Sequence, residues 1–436
     1  MDVVLINDKL QWSLIPMIQS YDGIEITQYP MPAARLLQIM TFVLLISSIS
    51  VDKNDIIPLS RQFDFSSVNL RKHERKAMCL LRSFNLELTS ANFNGFSITF
   101  ATFERIVGTN SSHGTMPNIF IPLHHFLRSI LYDPSINNID PYTNPEFKES
   151  RVLSNPMLAQ LSTILPADFI FSRLRKLYIG SESGFSMRQM ESKIFKWNAP
   201  TILFVSGSRI DPESPTSLRN KKFMTFKSEF PRFHTTSKTS QSIPQNDDDN
   251  KQQYTYMIFL SKPWKISNSE CFGDDTSLIV QLSPRQIVYN ANKSCISPNY
   301  AYFNTIGGGL GFGSKPPVVK NSVKVYRPGE VSLTVEANME IGNFRHLNIP
   351  GTFCTGSVFQ GDRNAPEFET TFQITDIEVW GCGSEKELEE QKKLWEWEHR
   401  EAEARKRLNV MNWDDGKALL EMAGMIGGAG NSGGSV

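Results

Sequence analysis

Along residues 1–156, apolar side chains recur at steps of three and four, as in Arg71 to Asn85, Phe100 to Ile106 and Leu123 to Tyr132. That spacing lines one face of a helix. Loops rich in Asn, Ser, Gly and Pro separate the segments, at Gly108 to Pro117 and Asp133 to Pro145. The pattern predicts a helical N-terminal domain. Its most apolar run, Leu36 to Ile46, is shorter than the roughly 20 residues that span a bilayer and lies behind Asp22 and Glu25. It reads as a core helix, not as a signal or an anchor.

The period then changes. After a stretch with helical spacing, Ala167 to Lys176, come short runs with β character: Thr201 to Val205, Tyr254 to Leu260, Ser277 to Leu282, Gln286 to Tyr289 and Val331 to Val335. Strands at this spacing, divided by Gly and Pro, predict an antiparallel sandwich or barrel. In Phe372 to Trp380 the apolar positions Phe372 and Ile374 resume one residue out of step at Ile377 and Val379, as a β-bulge requires. The polar segment at about 213–253, ending in the Asp247-Asp248-Asp249 run, lacks the apolar surface to order itself and reads as a flexible insertion.

Residues 384–412 read as a charged helix. Ser384 and Glu387 suit a capping box. Glu389 and Lys393, Glu396 and Arg400, Glu401 and Arg405, and Glu403 and Arg407 are acid-before-base pairs four apart. A narrow stripe carries Leu388, Trp395 and Ala402. It suits packing on the β domain and docking on a partner equally. The glycine-rich end, 425–436, reads as a flexible tail.

Composition adds exclusions. The 436 residues are 40% apolar, and 45 Lys and Arg balance 45 Asp and Glu. No net field recruits nucleic acid or anionic lipid, so no direct nucleic-acid partner is expected. The second residue is Asp2, so no N-myristoylation is expected for the chain as written. Five cysteines, Cys79, Cys271, Cys295, Cys354 and Cys382, are scattered without a C-x-x-C pair, which suits a reducing cytoplasm and offers no zinc site.

Candidate chemistry is sparse. Tyr302 to Pro317 reads YFNTIGGGLGFGSKPP, with five glycines between Gly307 and Gly313. A P-loop needs Gly-Lys-Ser/Thr opening a helix. Here Ser314-Lys315 stand in reverse order, and Pro316-Pro317 bring no amide hydrogen. The loop is expected to turn a sheet instead. Gly180 to Gly184 resembles a nucleophile elbow but places Glu182 at its centre. Seven histidines form no His-Glu-x-x-His, and Asp133, Ser135 and Asn137 begin an EF-hand-like loop that ends on Asn144. No catalytic, cofactor-binding or metal residues are assigned.

Several segments together resemble the TLDc domain: Leu177 to Ser186, Ala199 to Val205, Phe259 to Trp264, Asn304 to Gly313 and Phe372 to Gly381. Their order and spacing match over about 165–383. The helical N-terminal region, the Leu161 to Pro166 lead-in and the C-terminal helix ending in Leu419 to Gly424 resemble the fungal family named for restriction of telomere capping. Against that family the chain reads as short at its start. The resemblance implies an α+β fold, a TLDc-like antiparallel β-sandwich flanked by helices, in a cytoplasmic protein. It also implies association with oxidative-stress resistance and with the vacuolar proton-pumping ATPase, which would place the protein peripherally at the vacuole through that partner. The family offers no accepted active site or cofactor to carry over.

Three readings follow. The preferred one is a non-enzymatic interaction module. The alternative is an enzyme whose site gathers Glu182, Glu378, His346 or Cys354 from distant parts of the chain. The weakest is a telomeric DNA binder, which the neutral charge and the absence of a nucleic-acid motif disfavour.

Overall fold

The computed structural model describes residues 30–47, 66–108, 114–123, 148–166, 170, 174–212, 214–233, 253–320, 323–359, 361–362 and 365–383, and parts of 386–405. Met1–Ser384 form one compact unit and Glu385–Val436 a second.

The first unit opens with β1 (Met31–Pro32), α1 (Ala33–Ser47), α2 (Ser67–Leu81), β2 (Ser97–Ile98), α3 (Phe100–Val107) and α4 (Asn155–Ser162). Then come β3 (Arg175–Ile179), the single turn α5 (Gly180–Ser183), α6 (Met187–Ile194), β4 (Thr201–Arg209), α7 (Pro215–Arg219) and α8 (Lys221–Glu229). The remaining strands are β5 (Gln253–Leu260), β6 (Leu278–Ser283), β7 (Ile287–Asn290), β8 (Ala301–Asn304) and β9 (Gly309–Phe312). They continue with β10 (Lys315–Lys320), β11 (Val323–Arg327), β12 (Val331–Val335), β13 (Ile341–His346) and β14 (Phe368–Gly381).

Ten strands make one antiparallel sheet in the order β7-β6-β5-β4-β14-β13-β12-β9-β8, with β3 also on β14. The 14-residue β14 is its spine. One edge pairs with β4 from Phe372 to Gly381, while the other pairs first with β13 and then with β3. The register with β4 shifts between Ile374 and Asp376, where the apolar phase change predicts a bulge. The two halves of the sheet face each other across β14. Tyr256 of β5 stacks on Phe344 of β13 with ring centroids 4.7 Å apart. This is the sandwich that the β pattern predicts.

Alternation sorts the strands between layers. Leu203, Val205, Tyr256 and Ile258 point inward against Leu310, Phe312, Leu333 and Phe344. The same core takes in Leu36, Leu37, Met40 and Leu44 of α1 and Leu80 of α2, so these helices share a continuous apolar interior with the sheet. The outward residues Ile202, Phe204, Met257 and Val280 pack against Met157, Leu158 and Leu161 of α4. With both faces buried, β4 reads as an unbroken apolar run.

Several segments differ from the sequence pattern. Helix α2 begins at Ser67 instead of Arg71, because the Ser66 hydroxyl caps it through the Asn69 amide, and ends at Leu81. The helix expected over Ala167 to Lys176 has given way by Arg175, where β3 pairs with Gly381. Within the stretch read as a flexible insertion, α7 and α8 are helical. The Asn220 side chain caps α8, and Phe223, Phe226 and Phe230 bury its apolar side with Tyr326 and Ile341. The stretches 124–147, 234–252 and 406–436 lie outside the described residues, as do the Ser384, Leu388 and Ala402 side chains. The first of these stretches takes in most of the helix expected over Leu123 to Tyr132 and the loop expected over Asp133 to Pro145.

In the second unit, the described residues between 386 and 405 are helical, and Glu401 pairs with Arg405 at 3.0 Å. Trp395 and Trp397 are 42% and 51% exposed. Among the described residues, no helix is long and apolar enough to cross a membrane.

Candidate functional site

The glycine loop joins β8 to β9, with Asn304 opposite Gly309. The Asn304 side-chain oxygen accepts from the amides of Ile306 at 3.0 Å and Gly308 at 2.9 Å. The Gly313 amide donates to Tyr300 O at 3.0 Å, and Gly309 and Gly311 sit in β9 between β8 and β12. These groups, which would face an anion in a phosphate loop, are engaged in the turn and the strand. Packing explains the glycines. Gly309 has φ +71°, and a Cβ there would meet Val335 O at 2.2 Å. A Cβ on Gly311 would lie 2.1 Å from the Tyr302 ring, which folds across it.

Beside this turn lies a cleft of about 780 Å³, within the range of small-ligand pockets. Phe185, Arg188 and Glu191 come from α6 and the residue pair before it, Lys222 from α8, Thr305 from the glycine turn and Glu340 from the β12–β13 turn. Lys222 Nζ and Glu340 Oε1 pair at 2.6 Å across the mouth, both well exposed, and such pairs hold weakly. Glu336, just after β12, is only 9% exposed, and its Oε2 has no hydrogen-bond partner among the described residues. Burial raises its pKa, Lys324 opposes the rise, and Glu340 and Glu229 add to it.

The four groups proposed for a dispersed active site are not brought together. Glu182 is exposed on α5 and pairs with Lys176 at 2.9 Å. Glu378 is fully buried on β14. Its carboxylate accepts from Ser150 Oγ at 2.6 Å, the Val152 amide at 2.8 Å and Trp380 Nε1 at 3.0 Å, which ties the approach to α4 onto the sheet. His346 lies in the sandwich interior. Its Nδ1–H donates to Pro366 O at 3.0 Å, and its ring stacks on Phe368. Burial pushes its pKa down to about 4, so the imidazole is neutral at pH 7. Cys354 is half-buried, and burial raises its thiol pKa, leaving a poor nucleophile. No two of the four share a partner, and none lines the cleft.

The elbow-like Gly180 to Gly184 does form a strand–turn–helix. Its serine serves the fold: Ser181 Oγ donates to Asp376 Oδ2 at 2.6 Å and its amide to Oδ1 at 3.1 Å. Asp376, fully buried beside the β14 bulge, carries no role assigned from the sequence, although it lies in the TLDc-like segment Phe372 to Gly381 and the phase change at Ile374 marks its position. Glu336 and the cleft carry no signal there beyond the outward phase of β12. All five cysteines are free, and among the described residues no three His, Cys, Asp or Glu side chains are grouped to hold a metal.

Known proteins agree with this architecture. The TLDc domain family model matches residues 146–383. A Restriction of telomere capping protein 5 from Komagataella phaffii is 41% identical over 431 residues, covering 99% of this chain and 70% of that protein. The namesake from Kluyveromyces lactis is 36% identical over 449 residues, with 100% and 74% covered. That from Saccharomyces cerevisiae is 36% identical over 415 residues, with 94% and 70% covered. With the domain match spanning the whole sandwich and the relatives nearly the whole chain, this protein belongs to the TLDc-domain family and, within it, to the fungal restriction of telomere capping protein 5 family.

Proposed function

We propose that the chain is a non-enzymatic interaction module that regulates a larger assembly by docking on it. The partner we assign is the peripheral sector of the vacuolar proton-pumping ATPase, met from the cytoplasmic side. The observation that carries this reading is the separate engagement of Glu182, Glu378, His346 and Cys354: two are held inside the fold, one is paired at the surface, and one is a burial-raised thiol. Catalysis needs a base within hydrogen-bond reach of its nucleophile or substrate, and a scaffold needs only a rigid surface. Family membership supports the same reading. Any effect on telomere capping and oxidative-stress resistance is then indirect, through the assembly that is regulated. The neutral charge balance is consistent with an indirect route.

Affinity purification of the tagged chain, with a related oxidation-resistance protein as positive control, tests the assignment. Subunits of the ATPase peripheral sector are expected in both eluates. Their reproducible absence from this chain's eluate alone removes the partner.

A further inference from the structure

The segment that carries α7 and α8 is fastened to the sheet at two neighbouring points. At its start the Ile210 amide donates to Thr371 O of β14 at 2.9 Å. At its end Arg345 Nη2 of β13 donates to Pro231 O at 2.9 Å, and the same guanidinium packs on the Phe230 and Phe233 rings and pairs with Glu369 at 2.8 Å. Arg345 stands opposite Glu369, two residues from Thr371. Between these pins, no backbone hydrogen bond joins the segment to a strand among the described residues. Helix α8 is held by a small aromatic cluster, Phe223, Phe226 and Phe230 around Tyr326 and Ile341, which is separate from the sandwich core. Two ion pairs add to it, Lys222 with Glu340 at 2.6 Å and Glu229 with Lys324 at 2.9 Å. The groups beneath gain little from this cover. Charges near both ends of α8, Lys222 and Glu229, reach Glu336, which is nine-tenths buried with one oxygen lacking a partner among the described residues. The Tyr326 hydroxyl, whose ring packs on Phe226, is buried and lacks a partner in the same way. Lifting α8 lets water reach both groups, and that hydration offsets part of the aromatic contact given up.

We propose that α7 and α8 form a flap, pinned at Ile210 and Pro231, that opens as a unit from an intact sandwich and uncovers Glu336 and the Tyr326 hydroxyl. Lys222 also lines the cleft beside the glycine turn, so opening removes one of the cleft's walls. Glu336 couples the flap to pH. Burial raises its pKa in the closed form, Lys324 and Lys222 oppose the rise, and Glu340 and Glu229 add to it. The neighbouring Tyr326 hydroxyl has its pKa raised by burial too, and it stays protonated at neutral pH. Once uncovered, Glu336 returns to the ordinary carboxylate range. The closed form is therefore tightest below that range and loosens as pH rises through the raised value. The flap does not depend on which partner the module meets.

Native-state hydrogen exchange of the purified full chain, corrected for intrinsic rates, tests it. The α8 amides are expected to share one opening event, at least about 100-fold more frequent than opening of β4 and β5. Their protection should fall between about pH 4.5 and pH 8 in the parent and stay level in Glu336→Gln. Tyr326→Phe keeps the ring against Phe226 and removes only the hydroxyl, and it should raise α8 protection about tenfold. Phe226→Ala should abolish that protection while β4 and β5 keep theirs. Exchange of α8 only in step with β4 and β5 overturns the proposal, as does protection graded inward from the helix ends, the mark of simple fraying. So does equal loss in β4 and β5 on Phe226→Ala, or a pH course that Glu336→Gln leaves unchanged.

Discussion

The two outer faces of the sandwich are closed in different ways. On the β4–β7 half, Ile202, Phe204, Met257 and Val280 meet the apolar side of α4, and the buried Glu378 carboxylate there has three donors. On the other half, one cross-strand row runs Tyr302, Gly311, Thr334, Asn343, Thr371 through β8, β9, β12, β13 and β14. Near that row the Tyr302 and Tyr326 hydroxyls, Asn343 Oδ1 and Glu336 Oε2 are buried without partners among the described residues. Apolar burial stabilises without regard to direction, whereas a buried polar atom left unpaired costs free energy. The first face therefore holds the fold together. The second carries unspent hydrogen-bonding capacity, and the cleft opens beside it.

The largest expected effect lies on the first face. Phe204 is fully buried, and Phe204→Ala should lower unfolding free energy by about 3–5 kcal/mol, read by urea denaturation. A loss below about 1 kcal/mol would mean that α4 does not need this contact, and the contrast between the faces would dissolve.

Much of this contrast is legible in the chain. The unbroken run Thr201 to Val205 announces a strand covered on both sides, and the phase change after Ile374 announces the bulge. Residues that do not look like a strand are harder. β13 reads Ile-Gly-Asn-Phe-Arg-His, and its strand character comes from pairing with β12 and β14, not from propensity. The Gly342 position is dictated by the Phe372 ring, 2.4 Å from where a Cβ would stand, a tertiary contact invisible in sequence. Helix α8 is hidden for the opposite reason: Phe223, Phe226 and Phe230 have helical spacing, but the polar surroundings outweigh them. The glycine turn is readable because its failures as a phosphate loop are local. The cleft is not, because its walls come from four separated segments.

Between the two faces, the interior gives a pH test of intermediate size. His346 on β13 has its pKa lowered to about 4 by burial, against about 6.5 when unfolded. The unfolded chain takes up this proton as pH falls below about 6.5, and the folded chain only near 4. The contribution is thus fully present above about 6.5 and is lost progressively on the way down to 4, by about 3 kcal/mol in all. His346→Phe should flatten the stability slope across that window relative to the parent, measured as urea midpoints from pH 7 to pH 4. Parallel slopes in the two proteins would show that the imidazole accepts its proton in place.

The smallest effect sharpens the comparison most. Tyr302→Phe keeps the ring folded across Gly311 and removes only a buried hydroxyl without a partner. Tyr178→Phe removes a hydroxyl that donates to Gly184 O at 2.7 Å. The second change should cost about 1 kcal/mol, while the first should be neutral or stabilising by up to about 1 kcal/mol. Thermal unfolding of the pair, each against the parent, reads the difference. If Tyr302→Phe costs as much as Tyr178→Phe, the hydroxyl is satisfied in the folded protein, and the polar row under the β10–β11 hairpin and α8 is as fully paired as the Glu378 cluster on the opposite face.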